Sequence, residues 1–195
     1  MKKVYGMIIA VIVFFFSQTI HAALIDRGGG LIYDSDQNIT WLQDTAMDVR
    51  YQYEEALSLA GTFTYYDSVR DVVWSSWRLP STLGTGSQPG AGAVEGEMGY
   101  LYWEYNIRTG SPGLFVDLRP YHYWYAQRYD TDDAWQLNFA TGAQNPALET
   151  NWFDVWLVMD GDVGPAAVPI PGAMFLMISG LAAIAGLRRR TLKKH

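Results

Sequence analysis

All 20 acidic residues of this chain fall between Ala23 and Ala167, and the two ends outside that window are apolar and basic. The partition leaves one segment suited to fold as a globular body in water. At the start, Lys2 and Lys3 precede a mostly apolar run from Val4 to Phe16. Ser17 to Ala22 then forms a more polar stretch ending in a small residue. That is the pattern of an export signal, with cleavage after Ala22 or Ala23. The alternative is a permanent N-terminal anchor, for which the apolar run is short. At the other end, Val168-Pro169-Ile170-Pro171 leads into a charge-free run from Gly172 to Leu187. Arg188, Arg189, Arg190, Lys193 and Lys194 follow. The stretch from Val168 to Leu187 has the ~20 residues that cross an apolar slab, and the basic cluster belongs on the cytoplasmic side. The chain therefore divides into a signal peptide (1–22), a domain (23–163), a linker carrying the Val-Pro-Ile-Pro motif (164–171), a transmembrane helix (172–187) placing the protein at the inner membrane, and a basic cytoplasmic tail (188–195).

The middle segment carries seven arginines and no lysine against the 20 acids, a net charge of −13. Such a surface repels nucleic acid and anionic polysaccharide at low salt, so nucleic acid is not expected as a partner. Neutral glycans or bound calcium remain compatible with it. Cysteine is absent, which removes disulfides, thiolate metal sites and cysteine nucleophiles. All eight tryptophans and twelve of the 13 tyrosines lie in this segment. Most must form the core, and a minority is expected at a binding face, because Trp and Tyr are rigid, broad and half polar.

Pattern places the elements. Leu31–Tyr33 and Ile39–Leu42 read as short strands joined by Asp34-Ser35-Asp36-Gln37-Asn38. That loop begins like a calcium loop but lacks Gly at the sixth position and Glu at the twelfth, so a polar hairpin is expected. Tyr51 to Ala60 has helical spacing through Tyr53, Ala56, Leu57 and Ala60, with Gly61 as its stop. Val72 to Leu79 reads as a strand ended by Pro80. Alternation sets Trp77 and Leu79 on one side and Arg78 on the other, so Arg78 is expected beside a carboxylate, the alternative being a ligand contact. Thr82 to Gly96 is a long Gly-rich loop without a phosphate-loop Lys-Ser/Thr. Glu97 to Tyr105 makes a second helix burying Met98, Leu101, Tyr102 and Tyr105. Strands are then expected at 114–116, 123–126, 135–139 and 152–158, with Thr141-Gly142 turning the third of these toward the fourth. Two helices among short strands give the α+β class.

The chain carries Trp77-Arg78-Leu79-Pro80, Gly30-Leu31-Ile32-Tyr33-Asp34, Ile39-Thr40-Trp41-Leu42-Gln43-Asp44, Glu97-Met98-Gly99-Tyr100-Leu101, Tyr123-Trp124 and Asp133-Ala134-Trp135-Gln136-Leu137-Asn138-Phe139. In kind and order these resemble the Lcl C-terminal domain family, a bacterial surface-protein module, from about Leu24 to Val163. The resemblance implies a C-type-lectin-like fold, two helices against a small twisted antiparallel sheet. The chain departs from the family at Tyr125-Ala126-Gln127, where members often place small hydroxyl residues after Tyr-Trp, and at Met159, where relatives often have arginine. The tail resembles a PEP-CTERM sorting signal of the Val-Pro-Leu-Pro variety. That likeness implies an exosortase as partner and transient anchoring in the inner membrane of a Gram-negative bacterium, followed by the cell surface, outer envelope or extracellular matrix.

Catalytic chemistry has little to work with. One histidine, His122, lies in the domain, which rules out a two-histidine zinc site, and no Gly-x-Ser-x-Gly elbow occurs. The expected function is that of a non-catalytic carbohydrate- or exopolysaccharide-binding or adhesion module. A hydrolase of surface polysaccharide and a purely structural envelope protein are the alternatives. The true C-type-lectin sugar loops, Glu-Pro-Asn or Gln-Pro-Asp, are absent. The expected ligand site is a shallow one near Tyr125, Arg128, Asp130, Asp132 and Asp133, where rings and polar groups interleave. Asp130, Asp132 and Asp133 are also a calcium candidate, because three crowded carboxylates repel unless solvated or bridged by a cation.

Overall fold

The computed structural model describes residues 24–47, 49–82 and 96–165. The signal peptide, the Val-Pro-Ile-Pro motif, the transmembrane run, the basic tail and nearly all of the Thr82–Gly96 loop lie outside these residues. Among the described residues, no helix is long and apolar enough to cross a membrane.

The architecture is α+β, with two helices and antiparallel sheets. β1 (Leu24–Gly28), β2 (Leu31–Asp34), β3 (Ile39–Leu42), α1 (Tyr53–Thr62), β4 (Tyr65–Asp67), β5 (Val72–Trp74), α2 (Glu97–Trp103), β6 (His122–Arg128), β7 (Asp133–Asn138), β8 (Ala143–Leu148) and β9 (Val158–Asp160) follow in order. They form a four-stranded sheet β1-β2-β3-β9, a β4-β5 hairpin and a three-stranded sheet β6-β7-β8.

The hairpin expected at Asp34–Asn38 is present, with Asp34 opposite Ile39. Its carboxylate explains the turn. Asp34 is fully buried and accepts from the backbone N–H groups of Asp36 (3.0 Å) and Gln37 (3.1 Å), the Gln37 amide (2.7 Å) and the Tyr105 hydroxyl (3.0 Å). Asn38 closes it with φ 53°, a left-handed position that Asn tolerates. Upstream, the Gly-rich stretch Asp26–Gly30 is divided between strand and turn. β1 runs to Gly28, and the turn is made at Gly29 and Gly30, where a Cβ would lie 2.5 Å from Asp67 Oδ1 and 2.3 Å from the Tyr65 hydroxyl. Both glycines also have positive φ, so a side chain there is excluded twice.

α1 begins two residues later than its apolar spacing predicts and passes through Gly61. Glu55 accepts from the Gln52 N–H (3.2 Å) in the manner of a capping box, which fixes the start. The expected strand from Val72 to Leu79 is broken. Val72–Trp74 pairs with β4, Ser76 takes φ 69°, and Arg78 forms a separate bridge with Val158. The expected strand at 114–116 is reduced to a single bridge between Asp44 and Val116. The partner of β7 is β8, not the 152–158 segment, whose last residue instead opens β9 beside β3. β8 reads Ala-Gln-Asn-Pro-Ala-Leu and shows no apolar alternation. As an edge strand it tolerates Pro146 and needs no second buried face.

The core is aromatic. Trp41 and Trp156 lie 4.6 Å apart, Phe115 meets Trp156 at 4.8 Å, and Tyr123 meets Phe139 at 5.1 Å. Each such pair adds ~0.5–1.5 kcal/mol beyond its buried area, which matters in a chain without disulfides. Arg78 sits at the seam, as its alternation with Trp77 and Leu79 required. Glu97 takes both arms of its guanidinium (2.8 and 2.7 Å), Asp160 takes Nε and Nη2 (3.0 and 2.6 Å), and Glu97 also accepts the Ser81 N–H (2.7 Å). Burial works against the charge of Arg78, but the bonds and charges of Glu97 and Asp160 outweigh it and hold the guanidinium above its ordinary pKa.

Candidate functional site

The end of β6 and the start of β7 bring together Arg128, Asp130, Asp132 and Asp133, four of the five residues expected in the ligand site. The turn between the strands is built by one of them. The Asp130 carboxylate accepts from the N–H groups of Asp132 and Asp133 (3.0 Å each), and the Asp133 carbonyl accepts from Tyr129 (2.8 Å) and Asp130 (3.2 Å). The Asp132 carbonyl takes the Glu149 N–H (2.9 Å), tying the turn to the end of β8. Arg128 is exposed yet occupied. It pairs with Glu54 of α1, its Nε lies 3.1 Å from Glu149, and its guanidinium sits 5.5 Å from the Tyr53 ring.

Two expectations are corrected here. Tyr125 is fully buried, and its hydroxyl accepts from the Gly99 N–H of α2 at 3.0 Å. A Cβ at Gly96 would come within 2.9 Å of the same hydroxyl. Burial pushes this phenol well above its usual pKa, and it offers nothing to a ligand on the outer surface. β6 has no solvent-facing side here, since Tyr123, Trp124 and Tyr125 are all covered. The second correction concerns calcium. Among the described residues, no three His, Asp or Glu side chains come together as a metal-holding group. Asp130 spends an oxygen on backbone N–H groups, and Asp130, Asp132 and Asp133 do not converge.

The surface rings of this region are Tyr129 and Trp135. They meet edge to face at 5.1 Å and 85°, with Tyr129 57% exposed and Trp135 half-buried. Strand pairing extends the patch. Trp135 lies opposite Pro146 and Asp133 opposite Leu148, so Trp135, Pro146 and Leu148 share one face of the sheet. The result is an apolar patch in which the Tyr129 ring stands across Trp135, with Asp132 and Asp133 beside it in the turn and at the start of β7. Such a surface matches the C–H face of a sugar ring, with acceptors placed for its hydroxyls. Nothing in the sequence distinguishes these two rings from the many aromatics of the domain that are fully covered.

Two further groups with shifted pKa values, His122 and Asp154, lie outside this patch. His122 stacks on Phe153 (4.8 Å, 24°), and its Nε2 is 3.1 Å from the Asn138 amide. Burial first, and then Arg50, lower its pKa. Among the described residues it is hydrogen-bonded to no hydroxyl. Asp154 is fully buried between Arg119 (3.5 Å) and Arg50 (3.8 Å), and burial raises its pKa against both charges. A separate apolar cavity of about 240 Å³ is lined by Leu42, Ala46, Met47, Phe63, Tyr65 and Val116, with Asp44 and Gln43 at its polar side. Its lining brings no pair of facing carboxylates. No family model, no curated protein and no solved structure matches the chain.

Proposed function

We propose that this chain is an exported envelope or extracellular-matrix protein whose folded body is a non-catalytic glycan-binding module. The observation that carries the reading is the Tyr129–Trp135 pair, exposed at Tyr129 and half-buried at Trp135, on a hydrogen-bonded hairpin that also holds Asp132 and Asp133. The acids and the single histidine of the body support it, because the buried ones hold loops together instead of converging on a cleft. A C-type-lectin-like module of the Lcl C-terminal kind fits the two helices, the antiparallel sheets and the Trp-Arg-Leu-Pro motif, whose arginine closes the seam between α2 and β9. Sorting by an exosortase rests on the Val168–Pro171 motif, the apolar run and Arg188–Arg190. Intact mass spectrometry of the protein from an exosortase-bearing host is expected to show loss of residues 1–22 and of the basic tail. Retention of either end overturns the corresponding part of the reading.

Binding is tested with the full chain on immobilised neutral exopolysaccharide. Joint replacement of Tyr129 and Trp135 by Ala is expected to weaken binding by about tenfold or more, since each stacked ring contributes ~0.5–1.5 kcal/mol. The variant should stay folded but lose some stability, because Trp135 is half-buried and packs against the core, so binding is compared well below its unfolding temperature. Equal binding by the double variant moves the site. New reducing ends that vanish on replacement of a single acid make the protein a hydrolase instead.

A further inference from the structure

Seven arginines lie within the described residues, and six of them face a carboxylate. Arg108 alone has none among the described residues. Its guanidinium lies over two rings instead, 4.7 Å from the centre of Tyr102 and 5.7 Å from that of Trp103. Its Nε is buried and meets no acceptor. A closed pair of backbone bonds with Ser111 (3.2 and 2.8 Å) fixes the turn that carries it. In a body with 20 acids to seven arginines, an unpaired arginine is conspicuous. Stacking on ring faces offsets part of the desolvation of a guanidinium, but its fork of donors still calls for a planar acceptor.

Beside it lies a cavity of about 330 Å³, lined by Tyr102, Arg108, Thr109, Gly110, Pro120 and Phe139. Its floor is set by the core. Tyr102 and Phe139 are 4% and 1% exposed and meet at 6.0 Å. At Gly110 a Cβ would meet nothing within 4 Å, so the rim is open. The pocket therefore joins one rigid cationic fork to an apolar floor, with a hydroxyl from Thr109 at its edge.

We propose that this pocket binds a single carboxylate carried on a small ring-shaped ligand, for which a hexuronic acid is the fitting class. The carboxylate takes the Arg108 fork in two parallel bonds, and the C–H face of the ring lies on Pro120, above a floor closed by the nearly buried Tyr102 and Phe139. One arginine matches one negative charge. A phosphate or a polyanion calls for several cations, and no second one lines the cavity. The net charge of −13 further disfavours polyanions at a distance, whereas contact between a desolvated fork and a carboxylate acts at short range. The proposal is independent of the Tyr129–Trp135 patch.

The test is titration of the full chain with glucuronate, glucose, the methyl ester of glucuronate and inorganic phosphate, followed by calorimetry and by tryptophan fluorescence, since Trp103 adjoins the site. Glucuronate is expected to bind at least tenfold more tightly than glucose, the ester or phosphate. Arg108→Gln and Arg108→Lys should each lose tenfold or more while remaining folded, with a small fall in unfolding temperature from the weakened contact with Tyr102 and Trp103. The paired replacement of Tyr129 and Trp135 should leave glucuronate binding intact. Equal affinity for glucuronate and its ester overturns the proposal without any variant, and so does equal competition by phosphate. Undiminished binding by folded Arg108→Gln overturns it as well.

Discussion

Replacing Glu97 by Ala is expected to cost about 3–5 kcal/mol, the usual penalty for removing one partner of a buried ion pair. Glu97 is 2% exposed and accepts three bonds at once, two from Arg78 and one from the Ser81 backbone. Its loss strands a guanidinium whose remaining carboxylate, on Asp160, is largely solvated. It also leaves the Ser81 N–H without its acceptor, so that the chain between β5 and α2 is held there only by the backbone bond from residue 97 to the Ser81 carbonyl. At this size 1 kcal/mol moves the unfolding temperature by ~2–4 °C, so a fall of roughly 6–20 °C is expected in thermal unfolding of the full chain. Glu97→Gln keeps an acceptor for Ser81 and should cost less. Arg78→Ala combined with Glu97→Ala should cost little more than the worse single change, because the second removal takes away the stranded partner. A loss under about 1 kcal/mol for Glu97→Ala would mean that the pair is solvated and interchangeable, as surface pairs are.

Part of this arrangement was legible in the sequence, for physical reasons. Trp77 and Leu79 flank Arg78 in an extended segment closed by Pro80, and an arginine beside two core residues needs a carboxylate. Which acid answers it was not legible, because Glu97 is 19 residues away and Asp160 is 82. The Asp34–Asn38 hairpin was readable because its signals are local, as were the two helices through their spacing. β8 was not, since an edge strand can be polar and can hold a proline. The site suffered from the same limit. Alternation along β6 correctly separates Trp124 from Tyr123 and Tyr125, yet it cannot show that both faces are covered, one of them by α2 at Gly99. Tyr129 is exposed in the β6–β7 turn, and Trp135 is half-buried beside it. Arg108 carried no sequence signal, because counting 20 acids against seven arginines hides which arginine the fold leaves unpaired.

Asp67→Asn is the second large expected effect. Asp67 is fully buried where the β4–β5 hairpin meets β1. It accepts from the Arg70 guanidinium (2.5 Å), the Trp74 indole (3.2 Å) and the N–H groups of Val69 and Arg70 (2.9 and 3.3 Å). Arg70, itself nearly buried, turns its other arm to the carbonyls of Arg27 (2.7 Å) and Gly164 (2.6 Å). The amide keeps the shape but leaves that charge uncompensated, at an expected cost of about 3–5 kcal/mol. Acid provides the same test in the native protein. Burial alone would raise the Asp67 pKa, but the bonds from Arg70, Trp74 and Val69 outweigh it, and the folded value lies below the ordinary one. Its contribution is therefore present above the unfolded pKa of about 3.9 and lost as pH falls through the folded value. Asp154 has the opposite sign. Its folded pKa is raised, so its buried charge lowers stability at neutral pH, and protonation relieves that as pH falls through the folded value. Unfolding temperature is thus expected to hold or rise slightly as pH falls from 7 and then to drop below about 4. Asp154→Asn should flatten the first limb and Asp67→Asn the second. A second limb that stays equally steep in Asp67→Asn would place the acid-sensitive link of this fold at another carboxylate.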